Sequence, residues 1–326
     1  MQIIKANNWS DSPEFTQFPL LFRLWLWWCS KGRKRSNGGT FGGNQLFTIA
    51  KKYFSIFPYK TKNLISIWIE RWQLYIVLNL LDFQVYQHTI PSISNNKSEF
   101  LLQEMLLKSG DVFLDIGANY GMFTLFASTL VGGEGKVIAI EPQPRLAEAL
   151  RQSKIQNQLK QMSVLEIALS NQTGLEEFAV PSRSSGIGSL FQEHAGGSSK
   201  TTKINVNVKT LDQITEEMQL SKVNLIKVDV EGAELLVFQG GQLFLKEQFP
   251  FIWFEVNPGA QSIAGVSICE ILDFLKKLGY CKFYEISSLV QGNLIEPKEF
   301  SKLTNLLAVH QEQLSEFENL TPNFEY

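Results

Sequence analysis

Acidic residues in this chain repeatedly follow short apolar runs. Asp115 follows Val112-Phe113-Leu114, Glu141 follows Val137-Ile138-Ala139-Ile140, Asp229 and Glu231 follow Leu225-Ile226-Lys227-Val228, and Glu255 follows Phe251-Ile252-Trp253-Phe254. Carboxylates at strand ends can accept from hydroxyls, hold a cation or take up a proton. Between the first two lies a loop of small residues, Gly117-Ala118-Asn119-Tyr120-Gly121, whose glycines allow a sharp turn and close approach of a ligand. The pattern is Asp-x-Gly-x-Asn-x-Gly, not the dinucleotide pattern Gly-x-Gly-x-x-Gly, and an acid at the strand end would repel a pyrophosphate. It suits a cofactor that brings a cationic group, such as the amino-acid end of S-adenosylmethionine. Taken alone, the loop also reads as an ordinary tight turn. Glu141, about 20 residues further on, stands where a carboxylate holds a ribose diol.

The apolar runs must be strands buried on both faces of a parallel sheet. Met122, Phe123, Leu125, Phe126 and Leu130 continue at helical spacing, so strand, glycine turn and helix open a nucleotide-binding α/β fold. An amphipathic helix is expected over Arg145–Leu159, and a third strand over Val164–Leu169 with Ala168 at its end. Thr210 is a plausible cap for a helix from Leu211 through Met218. The fourth and fifth strands carry Asp229 and Glu255. A helix over Ile268–Leu278, a strand over Tyr280–Ile286 and a last strand from Leu306 complete the order. Ligands of open α/β sheets bind at the carboxyl ends of the strands, so Asp115, Glu141 and Asp229 should converge although they are far apart in sequence. Glu177–Val180 and Lys203–Val208 are expected to pair as an antiparallel hairpin whose Ser- and Gly-rich tip, Ser182–Thr202, holds His194.

These residues resemble the FkbM-type S-adenosylmethionine-dependent methyltransferases. The resemblance is carried by Asp115-Ile-Gly-Ala-Asn-Tyr-Gly, Ile140-Glu-Pro-Gln-Pro, Ala168-Leu-Ser, Thr210-Leu-Asp and Lys227-Val-Asp-Val-Glu-Gly-Ala-Glu, in that order, from about Glu99 to Pro258. It implies a Rossmann-like class I methyltransferase fold, with a mostly parallel seven-stranded sheet closed by a C-terminal antiparallel hairpin. It implies S-adenosylmethionine as cofactor and O-methylation of a hydroxyl on a sugar, glycan or secondary metabolite. The expected cofactor-binding residues are Asp115, Gly117, Ala118, Asn119, Gly121, Glu141, Ala168 and Asp229. In the family a glutamate before the first strand lies close to the cofactor, and Glu99 or Glu104 matches that position. A sugar hydroxyl is a weak nucleophile, so a base or a metal should help remove its proton. Asp229, Glu231 and Glu255 are the candidates, with His194 behind them. The three acids could also hold Mg²⁺, although no spacing in the sequence marks a metal site. Two rivals stand beside this reading. A non-catalytic nucleotide-type binding module would not need so complete a set of acids, and an NAD-dependent oxidoreductase calls for the full Gly-x-Gly-x-x-Gly.

The remaining composition narrows the partners. With 30 Lys plus Arg against 32 Asp plus Glu, a net charge of −2 leaves no global footprint for nucleic acid. Hydrophobic content of 44% is ample for a core. Cys29, Cys269 and Cys281 show no metal-ligand spacing and fit a reduced, cytoplasmic protein. The organisation expected is an N-terminal extension over 1–98, the catalytic domain over 99–310 and a polar, partly ordered tail over 311–326. Within the extension, Leu20–Cys29 is Trp-rich and followed by Lys31-Gly-Arg-Lys-Arg. It is shorter than the roughly 17–25 residues that span a bilayer. It reads either as a helix packed on a protein surface, the favoured alternative, or as a peripheral membrane contact through residues 20–35. Ser36–Gly43 has the composition of a flexible linker. Asn63–Leu81 is helix or strand pair, because its periodicity fits both.

Overall fold

The computed structural model describes residues 48, 64–79, 81–94, 98–181, 185–191, 201–297 and 299–321. The Trp-rich segment, the Ser36–Gly43 linker, Cys29 and His194 lie outside them. Among the described residues no helix is long and apolar enough to cross a membrane, and Cys269 and Cys281 are free and exposed.

The Asn63–Leu81 ambiguity resolves as a hairpin of β1 (Leu64–Ile69) and β2 (Leu74–Asn79). The helix Pro144–Gln156 runs along β2, and its edge groups are satisfied by that helix and the residue after it. Ser153 accepts from the Val77 N–H (2.9 Å), while Asn157 accepts from the Tyr75 N–H (2.7 Å) and donates to the Tyr75 carbonyl (2.6 Å). A buried strand edge must find such partners.

The central sheet contains β3 (Val112–Ile116), β4 (Lys136–Ile140), β5 (Met162–Leu165), β9 (Leu225–Val228), β10 (Phe251–Val256), β11 (Tyr280–Glu285) and β12 (Thr304–His310). Their order is β11-β12-β10-β9-β3-β4-β5. The β3, β4, β5, β9 and β10 pairings are parallel, and β12 runs antiparallel between β10 and β11. A smaller sheet of β6 (Ala168–Leu169), β7 (Gly174–Pro181) and β8 (Thr201–Lys209) sits beside it, with β7 and β8 as the expected antiparallel hairpin. The single third strand expected over Val164–Leu169 is therefore two pieces. Its chain leaves the large sheet after Leu165 and re-enters the small one at Ala168, because β8 offers Ala168 and Leu169 a parallel partner.

Side chains on the central strands alternate between two buried layers, as strand geometry demands. Leu114, Ile116, Ile138, Ile140, Ile226, Val228, Ile252 and Phe254 share one layer. Phe113, Val137, Leu225 and Trp253 share the other. The helix from Leu211 is capped as expected by Thr210, with Gln213 completing a reciprocal capping box. The described part of the tail ends at Thr321. A helix over Leu314–Leu320 buries Phe317, whose ring stacks on Tyr284 at 5.3 Å.

Candidate active site

The strand register decides what faces the cavity. Ile140, Ile116, Val228 and Phe254 are aligned across β4, β3, β9 and β10. The next residue along each strand is Glu141, Gly117, Asp229 and Glu255. All four line one cavity of about 420 Å³, a size typical of small-ligand sites. One residue earlier, the register sets Asp115, Lys227 and Trp253 side by side.

Lys227 had no role assigned from sequence, and it is central here. It is 3% exposed, with Nζ 3.4 Å from Asp115 Oδ1 and 3.1 Å from Asp229 Oδ2. Burial alone would lower its pKa, but the two carboxylates hold it above the ordinary lysine value, so it is a fixed cation. Its ammonium also lies over the rings of Phe123 (5.6 Å) and Trp253 (5.7 Å). A lysine inside an apolar four-residue strand was the one available signal, because such a charge has to be paired.

Asp115 is fully buried behind the loop. It accepts from the Thr124 hydroxyl at 2.6 Å and is not among the cavity-lining residues. Its neighbour on β9, Lys227, lines the cavity and pairs with it at 3.4 Å. Gly121 also stands back from the cavity. Its φ of 79° and the Leu150 side chain, which a Cβ would overlap, make it a turn and packing position. Gly117, Ala118, Asn119 and Ala168 do line the cavity. A Cβ on Gly117 would overlap the Asp229 carbonyl oxygen, so only glycine allows the β3 and β9 ends to approach this closely.

Glu141 is 3% exposed, and each of its oxygens accepts one backbone N–H, from Asn119 and from Gln143, both at 2.9 Å. Burial raises its pKa to about 7 against the lowering effect of those two bonds. The carboxylate thus has capacity for hydroxyl donors from the cavity. Ile167, Ala168, Leu169 and Phe178 add an apolar wall beside it. A carboxylate for a diol, an apolar wall for a base and a glycine loop between acids fit S-adenosylmethionine.

Asp229, Glu231 and Glu255 each present a carboxylate oxygen within 4.8 Å of the others. Glu231 sits at φ 53° and accepts from Asn257 Nδ2 at 3.2 Å. Glu255 has one buried oxygen without a hydrogen-bond partner. Burial, then Asp229, Glu231 and Glu234, push its pKa well above the carboxylate range, with Lys227 opposing. Glu99 also lines the cavity and accepts from Asn305, which in turn accepts from Trp253 Nε1 at 2.9 Å. Glu104 pairs with Arg71 instead, at 3.0 Å. Gln84, His88, Thr89 and Ser92 line the cavity as well. The extension therefore contributes part of the wall, for which no sequence motif gave a signal.

Comparison with known proteins agrees with this geometry. Residues 115–281 match the model of the methyltransferase FkbM domain. The methyltransferase sdnD of Sordaria araneosa is 28% identical over 184 residues, covering 46% of this chain and 71% of that protein. The 2-O-methyltransferase NoeI of Sinorhizobium fredii is 29% identical over 185 residues, covering 52% of this chain and 73% of its own. The hexuronic acid methyltransferase AglP of Haloferax volcanii is 30% identical over 162 residues, covering 49% and 60% respectively.

Proposed function

This chain belongs to the methyltransferase FkbM domain family, and from that premise we propose that it O-methylates a hydroxyl of a sugar, glycan or secondary metabolite. S-adenosylmethionine is the donor, supplying an electrophilic methyl group on a sulfonium. The observation that carries the proposal is the single row Glu141, Gly117, Asp229 and Glu255 along one cavity. It joins a ribose-type carboxylate to a cluster of acids suited to proton removal. Two relatives named as 2-O-methyl and hexuronic acid methyltransferases support a sugar acceptor.

Each residue then has a task. Glu141 accepts from the ribose hydroxyls, and the Gly117–Asn119 backbone leaves room for the donor beside it. Asp229, Glu231, Glu255 and Asn257 would hold the acceptor, since transfer requires its oxygen close to and in line with the methyl group. Glu255 takes the proton from that hydroxyl. Its high proton affinity, maintained by burial and by Asp229 and Glu231, makes it a stronger base than an ordinary carboxylate once ionised. Lys227 keeps the surrounding acids from repelling one another out of position. The 4.8 Å clustering of Asp229, Glu231 and Glu255 favours a second reading, in which they hold a divalent cation that activates the hydroxyl.

Calorimetric titration with S-adenosylhomocysteine, followed by a methyl-transfer screen over glycans and small hydroxylated metabolites, tests the proposal. Binding without any transfer to a hydroxyl acceptor would overturn the O-methylation reading. Chelation by EDTA separates the two activation routes: an unchanged rate supports Glu255 as base, and loss restored by Mg²⁺ supports the cation.

A further inference from the structure

The turn after the N-terminal hairpin reaches the site through Asp82. This residue is 1% exposed and lies outside the stretch that matches the family. Its Oδ1 accepts from the backbone N–H of Gln84 (3.0 Å) and of Ser185 (3.2 Å). Its Oδ2 accepts from the Tyr120 hydroxyl (2.8 Å) and lies 3.4 Å from Arg145 Nη2. One carboxylate therefore touches its own turn, the glycine loop, the helix after Glu141 and the segment 185–191.

Those contacts continue into a closed circuit. Tyr120 follows Asn119, whose N–H is held by Glu141 Oε2. Glu141 Oε1 holds the N–H of Gln143, and the Gln143 side chain donates to the Ser185 carbonyl at 3.0 Å. The Ser185 N–H returns to Asp82. The two buried carboxylates sit on opposite sides of this circuit. Each holds backbone that the other also fixes through one neighbour.

We infer that Asp82 is a positioning residue for cofactor binding, locking the glycine loop and residues 185–191 in the arrangement that presents Glu141 to the cavity. The inference rests on the reading of that cavity as the S-adenosylmethionine site. Asp82 does not line the cavity, and its effect passes through Tyr120, Arg145 and Ser185. Four acceptor contacts on one buried group also explain why an acid stands here: a carboxylate has the lone pairs for all of them and no proton to misplace. The turn at residues 81–84 thus belongs to the same unit as the glycine loop and Glu141.

Amide hydrogen exchange on the ligand-free full chain tests the coupling directly. Asp82→Ala should speed exchange of segments 117–121 and 185–191 by about 10-fold or more, leaving the strands 113–116 and 225–228 protected. The same variant should weaken S-adenosylhomocysteine binding by about 10-fold. Asp82→Asn, which keeps the Oδ1 acceptor, should restore protection of 185–191. Unchanged exchange in Asp82→Ala, or an Asn variant as loose as Ala at 185–191, would overturn the inference. Should the Ala variant not fold, Tyr120→Phe removes one link only. It should loosen 117–121 while 185–191 stays protected, and no change at 117–121 would sink the idea. Failure of the wild-type chain to bind S-adenosylhomocysteine would count against the proposed function, and the exchange result would still decide the coupling.

Discussion

The carbonyl oxygen of Asp229 occupies the space that a side chain at Gly117 would need. This contact sets how closely β3 and β9 approach where the strand order reverses, so the positions of the glycine loop and of Asp229 depend on one another. Gly117 also has φ 80°, a conformation costly for other residues. Gly117→Ala should lower stability by about 1–3 kcal/mol and abolish measurable S-adenosylhomocysteine binding. Urea denaturation and calorimetry on the same preparation check both parts.

Glu141→Ala should weaken S-adenosylhomocysteine binding by about 10–100-fold, at about 1.4 kcal/mol per decade. An unchanged dissociation constant in a folded variant would exclude the ribose contact.

The proton on Glu141 gives a pH signature. With a folded-state pKa raised to about 7 from 4.5, the folded chain binds more protons than the unfolded chain between those values. Stability from this group therefore falls as pH rises through that window. Hydroxyl donors favour the ionised form, so S-adenosylhomocysteine affinity should rise with pH through about 7. In Glu141→Gln that rise should disappear, and its melting temperature should fall less than that of the wild type between pH 5 and 7.

Lys227→Met should be among the most damaging single changes. It leaves Asp115 buried without its cation and removes the partner of Asp229. Loss of one member of a buried ion pair costs about 3–5 kcal/mol, readable as a shift of the urea midpoint.

Glu255→Gln should lower kcat by about 10²–10⁴-fold, the range for a general base, while S-adenosylhomocysteine affinity stays near wild type. The wild-type rate should fall on the acid side of a pKa above the usual carboxylate range, since burial and the neighbouring acids raise it. In the Gln variant that acid limb should be absent.

Local sequence determined the strand–loop–helix unit at Val112–Val131, the strand-end acids and the Thr210 cap, because each is written by neighbours within a few residues. It also implied that Asp229, Glu231 and Glu255 meet at one edge, since parallel strands all end on the same side. It did not reveal the break between Leu165 and Ala168, which depends on β8 arriving from about forty residues later. Asp115 and Lys227 needed the register between β3 and β9 before either could be seen as half of an ion pair. Asp82 belongs to no sequence motif, and only the fold brings Tyr120, Arg145 and Ser185 around it. Residue types and short-range spacing are properties of the chain, whereas burial, register and the partner of a buried charge are properties of the packed whole, and only tertiary structure could assign them.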